Sequence, residues 1–79
     1  MSRNDLPEWV YQHRREVGAR LRAVRLDRDL TQEQLAERVG IDSKTVSRAE
    51  NGRHTITIDL VARFARALGV PSWRLFKDG

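Results

Sequence analysis

The segment from residue 31 to residue 53 constrains the fold of this chain more than any other part. Its apolar residues recur at the three- and four-residue spacing of helices, at Leu35, Ala36, Val39, Ile41, Val46 and Ala49. Gly40 lies between the two apolar runs. Glycine adopts the left-handed backbone of a tight turn more easily than any other residue. The pattern predicts a helix over about 32–39, a tight turn, and a second helix over about 43–51.

Capping residues support the two helices and predict three more. Thr31 precedes the first helix, with Gln34 three residues on as a capping-box partner, and Asp42 precedes the second. A long helix is expected upstream, over about 6–28, with Asp5 as its cap. Asp29, which follows that helix, is expected to take a positive φ.

The C-terminal third predicts two further helices. Thr57 is placed to cap a fourth helix that ends at Gly69, and Ser72 a short last one. The expected buried stripe of the fourth helix consists of Ile58, Leu60, Val61, Phe64, Ala65 and Leu68.

The paired helices look like a helix-turn-helix, and about 17–76 resembles the Cro/repressor-like (xenobiotic-response-element type, lambda-repressor-like) DNA-binding family. The residues that carry the resemblance are Leu30-Thr31-Gln32, Leu35-Ala36, Val39-Gly40-Ile41, Thr45-Val46-Ser47 and Glu50-Asn51-Gly52. The resemblance implies an all-α fold, a compact five-helix helix-turn-helix domain over 17–79. The first helix would be extended N-terminally by residues 1–16. The alternative is an ordinary αα-hairpin within a helical bundle.

The resemblance also implies which residues meet DNA. It places four side chains of the second paired helix against bases: Ser43, Lys44, Ser47 and Arg48. It places three residues against phosphates: Gln32, Asn51 and Arg53. The alternatives are a solvated helix face, a helix-end role for Asn51 and a plain surface charge for Arg53.

The family frequently pairs an arginine of the first helix with the glutamate before Asn-Gly. Arg25 and Glu50 hold these positions and are expected to form a structural ion pair. Replacing Glu50 by alanine is then expected to cost ~2–4 kcal/mol, because it would leave a buried charge unpaired.

Repressors of this type usually bind as homodimers, with recognition helices one DNA turn apart. Trp73 and Trp9 are the candidate interface residues, whereas Leu75 and Phe76 are expected to close the chain's own core. For Trp9 the alternatives are packing on the domain, a partner copy or another protein, and packing is favoured. Arg3 is considered as a minor-groove arm.

Composition limits the other functions. The chain of 79 residues carries a net charge of +4 and no cysteine, and its two histidines suggest no metal site. No apolar run approaches the ~20 residues that span a bilayer, so a cytoplasmic protein without membrane contact is expected. We see no catalytic residue set, and therefore expect no enzyme, cofactor or metal.

The sequence therefore predicts a sequence-specific regulator of transcription, a repressor that binds a double-stranded DNA operator. Helix 43–51 would read the major groove. The alternative is a protein-binding module, such as an antitoxin that also binds its own operator. RNA binding is a weaker alternative, because no aromatic stacking surface is evident.

Overall fold

A computed structural model describes residues 5–78, which form four α-helices and one short 3-10 helix. The α-helices are α1 (Glu8–Asp27), α2 (Gln32–Val39), α3 (Ser43–Glu50) and α4 (Ile58–Leu68), and the 3-10 helix is Ser72–Leu75. No strand occurs within 5–78. The all-α class is confirmed, although the fifth helix is a single 3-10 turn rather than an α-helix.

Side-chain caps fix where the two central helices begin. Thr31 Oγ1 accepts from the backbone N of Gln34 at 3.0 Å, and Gln34 Oε1 accepts from the backbone N of Thr31 at 2.8 Å. Asp42 Oδ1 accepts from the backbone N of Thr45 at 2.8 Å. These bonds satisfy N–H groups that a helix start leaves without partners, and so confirm the predicted starts of α2 and α3.

Two positive φ angles set the turns on either side of α2. Gly40 ends α2 at φ 85°, which turns the chain sharply into α3. Asp29 adopts φ 57° between α1 and α2, as predicted, and it is the one non-glycine residue with positive φ within 5–78. Aspartate tolerates this region better than most residues, at some cost.

Two predicted caps are wrong, and a proline explains each. α1 begins at Glu8 rather than at Leu6, and Asp5 does not cap it, because Pro7 is extended (φ −55°, ψ 146°) and disfavours helix before it. Pro71 (φ −68°, ψ 149°) likewise occupies the cap position of the 3-10 helix, so Ser72 is its first residue rather than its cap.

One hydrophobic core lies between the four helices and is closed by the 3-10 helix. Its fully buried side chains are Leu21 of α1, Leu35 of α2, Val46 and Ala49 of α3, Phe64 of α4, and Leu75. α1 runs unbroken through residue 16, and the division into an extension 1–16 and a domain 17–79 stays a prediction. Within 5–78, no helix has the length and apolarity that crossing a bilayer requires.

Three predicted packing positions are wrong. Ile58 is 83% exposed, because the first turn of α4 projects past the core and the buried stripe begins at Leu60. Trp9 is 72% exposed: it lies nine residues before Gly18, where α1 meets α3, which is ~13 Å along the helix. Phe76 is 44% exposed and stacks on His13 instead of entering the core.

Candidate nucleic-acid interface

The outer face of α3 is polar and basic. Its exposed side chains include Lys44 and Arg48, and Ser43 and Ser47 are half-buried beside them. Spacings of four residues place these side chains on one side of the helix. Within Ser43–Glu50 the only carboxylate is Glu50, and its side chain is 1% exposed. The face therefore presents hydrogen-bond donors and positive charge to solvent, as predicted for a recognition helix.

The inner face of α3 is held tightly against the rest of the molecule. Val46 and Ala49 are completely buried, and α3 packs on both α1 and α2. A Cβ added at Gly18 of α1 would lie 2.6 Å from the carbonyl oxygen of Glu50, and closer still to that of Ala49. Only glycine allows α1 to approach the end of α3 so closely. The orientation of α3 is thus fixed by packing on two sides.

Arg25 and Glu50 form a buried ion pair between α1 and α3. Arg25 Nε donates to Glu50 Oε2 at 2.6 Å, and Arg25 Nη2 donates to Glu50 Oε1 at 3.0 Å. Arg25 Nη1 also donates to the carbonyl oxygen of Leu30 at 2.7 Å. The hydrogen bonds with Glu50 raise the pKa of Arg25 above its usual value, although burial opposes this. One guanidinium thereby joins α1, the turn after it and α3.

Gln32, the first residue of α2, is held by the same carboxylate. Its Nε2 donates to Glu50 Oε1 at 3.1 Å, in a partly buried position. This bond uses one of the two amide protons, so the second proton remains for a ligand. The sequence did not suggest the contact, because the two residues are 18 positions apart and share no local motif. Glu50 therefore connects the end of α3 to the start of α2.

Asn51 and Arg53 follow α3 directly, and both are exposed. Asn51 Nδ2 donates to the carbonyl oxygen of Ser47 at 2.8 Å, which supports the helix-end role considered for it. The backbone N of Arg53 donates to the carbonyl oxygen of Arg48 at 2.8 Å, which fixes the loop while leaving the Arg53 side chain exposed.

The start of α3 carries the cap Asp42. Its hydrogen bonds with Thr45 lower its pKa below the ordinary value, with a smaller contribution from the nearby cations Arg48 and Lys44. The carboxylate is thus ionised at neutral pH and accepts a hydrogen bond from a backbone N–H group at the start of α3.

Within 5–78, no group of three or more Asp, Glu or His side chains is placed to hold a metal ion.

The fold and this surface together define a helix-turn-helix domain. Residues 16–73 match a family model described as a helix-turn-helix domain. The chain therefore belongs to the helix-turn-helix family of DNA-binding transcriptional regulators.

Individual relatives agree with this assignment. An uncharacterized HTH-type transcriptional regulator of Methanothermobacter thermautotrophicus is 42% identical over 60 residues, which are 76% of this chain and 71% of the relative. The cryptic phage CTXphi transcriptional repressor RstR of Vibrio cholerae is 32% identical over 61 residues, which are 77% of this chain but only 55% of the repressor.

A solved structure shows the same fold. The restriction-modification controller protein C.AhdI from Aeromonas hydrophila superposes with a TM-score of 0.81 at 32% identity. The match covers 84% of this chain and 96% of the controller protein.

Proposed function

We propose that this regulator is a homodimeric repressor that binds a specific double-stranded DNA operator and reads its major groove with α3. The observation that carries the proposal is the contrast between the two sides of α3. The outer side presents Lys44 and Arg48 with no accessible carboxylate from its own helix, and the inner side is locked by packing and by the Arg25–Glu50 pair. A rigid helix with outward donors is what base recognition in the major groove requires.

The residues of α3 have distinct roles in this proposal. The planar fork of Arg48 pairs with O6 and N7 of a guanine. Lys44 binds a guanine edge or a phosphate, and Ser43 and Ser47 donate to or accept from bases that lie close to the helix. Specificity therefore depends most on Arg48, because a bidentate contact discriminates between bases better than a single hydroxyl does.

Gln32, Asn51 and Arg53 set the register of the protein on the DNA by contacting phosphates. The free backbone N–H groups at the start of α2 favour an anion, and Gln32 Nε2 has a second proton to donate to the same ligand. Because Glu50 holds Gln32 and also ends α3, the phosphate contact and the base-reading helix move as one unit. Such contacts strengthen binding on any sequence.

Repression and dimer formation follow from the proposed mode of binding. A small domain reads only a few base pairs, so two copies on half-sites ~34 Å apart supply the specificity that a monomer lacks. A bound dimer represses by occupying DNA that transcription needs, and one relative is itself a phage repressor. The proposal keeps the cytoplasmic location expected from the sequence, because a regulator acts where its operator lies.

The second candidate is a protein-binding module, such as an antitoxin that also binds its own operator. The exposed apolar side chains of Trp9, Ile58, Trp73 and Phe76 favour it, since large exposed apolar groups often mark protein contacts. The two functions differ in what they require of DNA binding. The repressor needs strong preference for one operator, and a module acting through protein contacts alone does not.

Selection of binding sites from random duplex DNA tests the proposal. The selected operator should contain inverted half-sites about one helical turn apart and should bind ~10³-fold or more tightly than random duplex. Titration at two salt concentrations then separates phosphate contacts from base contacts. Weak, salt-sensitive binding without an enriched sequence would contradict sequence-specific regulation and favour the protein-binding module.

A further inference from the structure

The first half of α1 packs against the loop that follows α3. A Cβ added at Gly52 of this loop would lie 2.7 Å from Arg15 Cγ and 2.9 Å from Arg15 Cα, so the loop approaches the α1 backbone very closely. Three residues further along the loop, Thr55 Oγ1 accepts a hydrogen bond from Arg14 Nη2 at 3.1 Å. Two adjacent residues of α1 therefore contact both ends of the segment 52–55.

Arg15 lies on the side of α1 that faces α3. Gly18, which α3 approaches closely, follows it by three residues, and Arg25, which pairs with the end of α3, follows it by ten. Both spacings return to the same side of a helix. The α1 surface beside α3 thus continues past the contact at Gly18 to the Arg15 side chain.

Positive charge accumulates where α1 meets the loop. Asn51 and Arg53, which flank Gly52, are the loop residues that we assign to phosphates, and Arg15 lies directly beside them. The segment 51–57 contains no acidic residue. A phosphate held by the loop would therefore meet a further cation on α1 and no carboxylate from the loop itself.

Arg15 has hydrogen-bond donors left for such a ligand. Its side chain is 49% exposed, and its two hydrogen bonds, to Glu8 Oε1 and Gln12 Oε1 at 2.9 Å each, both use Nη2. A guanidinium has five N–H groups in a planar fork that fits a phosphate, so Nε and Nη1 remain available. The Glu8 side chain is 81% exposed, and an ion pair so open to water is weak.

We propose that Arg15 binds a DNA phosphate next to the phosphate held by the loop after α3, and that Glu8 competes for Arg15 in the free protein. Arg15 precedes residues 16–73, the span that matches the helix-turn-helix family, so this contact enlarges the DNA surface beyond the common domain. The inference rests on the proposed function, since it adds a backbone contact that is continuous with the surface assigned to DNA.

The salt dependence of binding to random duplex DNA tests the inference on the full chain. Each phosphate contact contributes about 0.9 to the slope of log affinity against log salt concentration. Arg15→Gln removes the charge and keeps the Cγ that contacts Gly52, so it should fold like wild type, which circular dichroism checks. It should reduce the magnitude of the slope by ~0.9 and weaken binding to operator and random duplex alike by ~3- to 10-fold at low salt.

Two further arginine variants serve as references. Arg53→Gln removes the cation that we assign to the same stretch of DNA backbone, and it should reduce the slope by a similar amount. Arg66→Gln removes an exposed arginine near the end of α4, an element to which we assign no DNA contact, and it should keep the wild-type slope.

Two outcomes would overturn the phosphate contact. One is an Arg15→Gln slope equal to that of wild type and Arg66→Gln. The other is a loss of affinity for the operator alone, with binding to random duplex unchanged, because a phosphate contact acts on every sequence.

Glu8 supplies a test with the opposite sign. Glu8→Gln should strengthen binding to random duplex by ~2- to 5-fold at low salt, because it releases Arg15 and removes a carboxylate that repels the phosphate. Glu16→Gln is the matched control: it removes an exposed carboxylate from another side of α1 and should have less effect. A gain from Glu8→Gln that is as large in the Arg15→Gln background as in wild type would contradict the competition.

Failure of this inference and failure of the proposed function give different results. Site selection decides whether wild type prefers an operator, whereas the slope on random duplex decides whether Arg15 contacts a phosphate. If wild type selects paired half-sites and Arg15→Gln keeps the full slope, the repressor stands and the contact is refuted. If wild type shows no sequence preference and Arg15→Gln still loses ~0.9 of slope, the repressor is refuted and the contact stands.

Discussion

Glu50→Ala removes the residue that holds three parts of the molecule together. Its carboxylate accepts two hydrogen bonds from Arg25 and one from Gln32, and its side chain is 1% exposed. The Arg25 side chain is only 7% exposed, and in the variant its one remaining hydrogen bond among residues 5–78 is the one it donates to the carbonyl oxygen of Leu30. Breaking a buried pair from one side costs ~3–5 kcal/mol, and water entering the vacated space offsets part of this cost.

We therefore expect Glu50→Ala to lose about 3 kcal/mol of unfolding free energy. For a domain of this size that loss lowers the melting temperature by ~12–24 °C. Thermal unfolding followed by circular dichroism measures the shift. Glu37→Ala is the matched control, since it removes an exposed carboxylate from α2 and should change the melting temperature little.

A double variant separates the loss of stability caused by the unpaired charge from the loss caused by poorer packing. Arg25→Met with Glu50→Leu replaces both partners by apolar groups of similar size, and it should recover most of the stability lost in Glu50→Ala. A melting temperature for Glu50→Ala within error of the Glu37→Ala control would refute the argument that a buried, paired charge fastens α3.

Three further changes test other parts of the account. Gly18→Ala should destabilise by at least ~2 kcal/mol in thermal unfolding, because its methyl group meets backbone oxygens that cannot turn aside, and a near-neutral result would contradict the close approach of α1 and α3. The lowered pKa of Asp42 stabilises the fold above the ordinary carboxyl pKa and ceases to do so as pH falls through the folded value. Asp42→Asn should therefore have a lower melting temperature than wild type at neutral pH, and the two melting temperatures should converge as the pH falls below the pKa of Asp42 in the folded protein. A difference in melting temperature that does not change with pH would contradict a role for the Asp42 charge. Gln32→Ala should weaken binding to operator and to random duplex alike by ~10-fold, since the lost contact is to phosphate; loss on the operator alone would reassign Gln32 to base reading.

Local signals were enough to predict α2 and α3. Thr31 and Asp42 each supply a cap within three residues of the N–H group they satisfy, and Gly40 marks the corner between the helices. Such signals act over short stretches of chain, so their geometry can be inferred without knowing the rest of the fold.

Long-range placement could not be predicted in the same way. Helical periodicity predicts which face of α4 carries Ile58. It does not predict whether another element of the fold packs against that face at Ile58, and Ile58 is in fact exposed. Trp9 was misplaced for the same reason. The bond from Gln32 to Glu50 depends on how α2 and α3 are set against each other, which no local pattern encodes. The Arg25–Glu50 pair was expected only because the family resemblance supplied it.

The most direct test of the central claim compares base preferences of Arg48→Ala and Arg22→Ala on the selected operator. Both variants remove one exposed arginine, but Arg48 lies on α3 and Arg22 on α1. The account predicts that Arg48→Ala loses ~10- to 100-fold in discrimination at one base pair per half-site and keeps its affinity for random duplex, whereas Arg22→Ala keeps the wild-type preferences. Equal, salt-dependent loss in both variants, with base preferences unchanged, would contradict the claim that α3 reads the sequence.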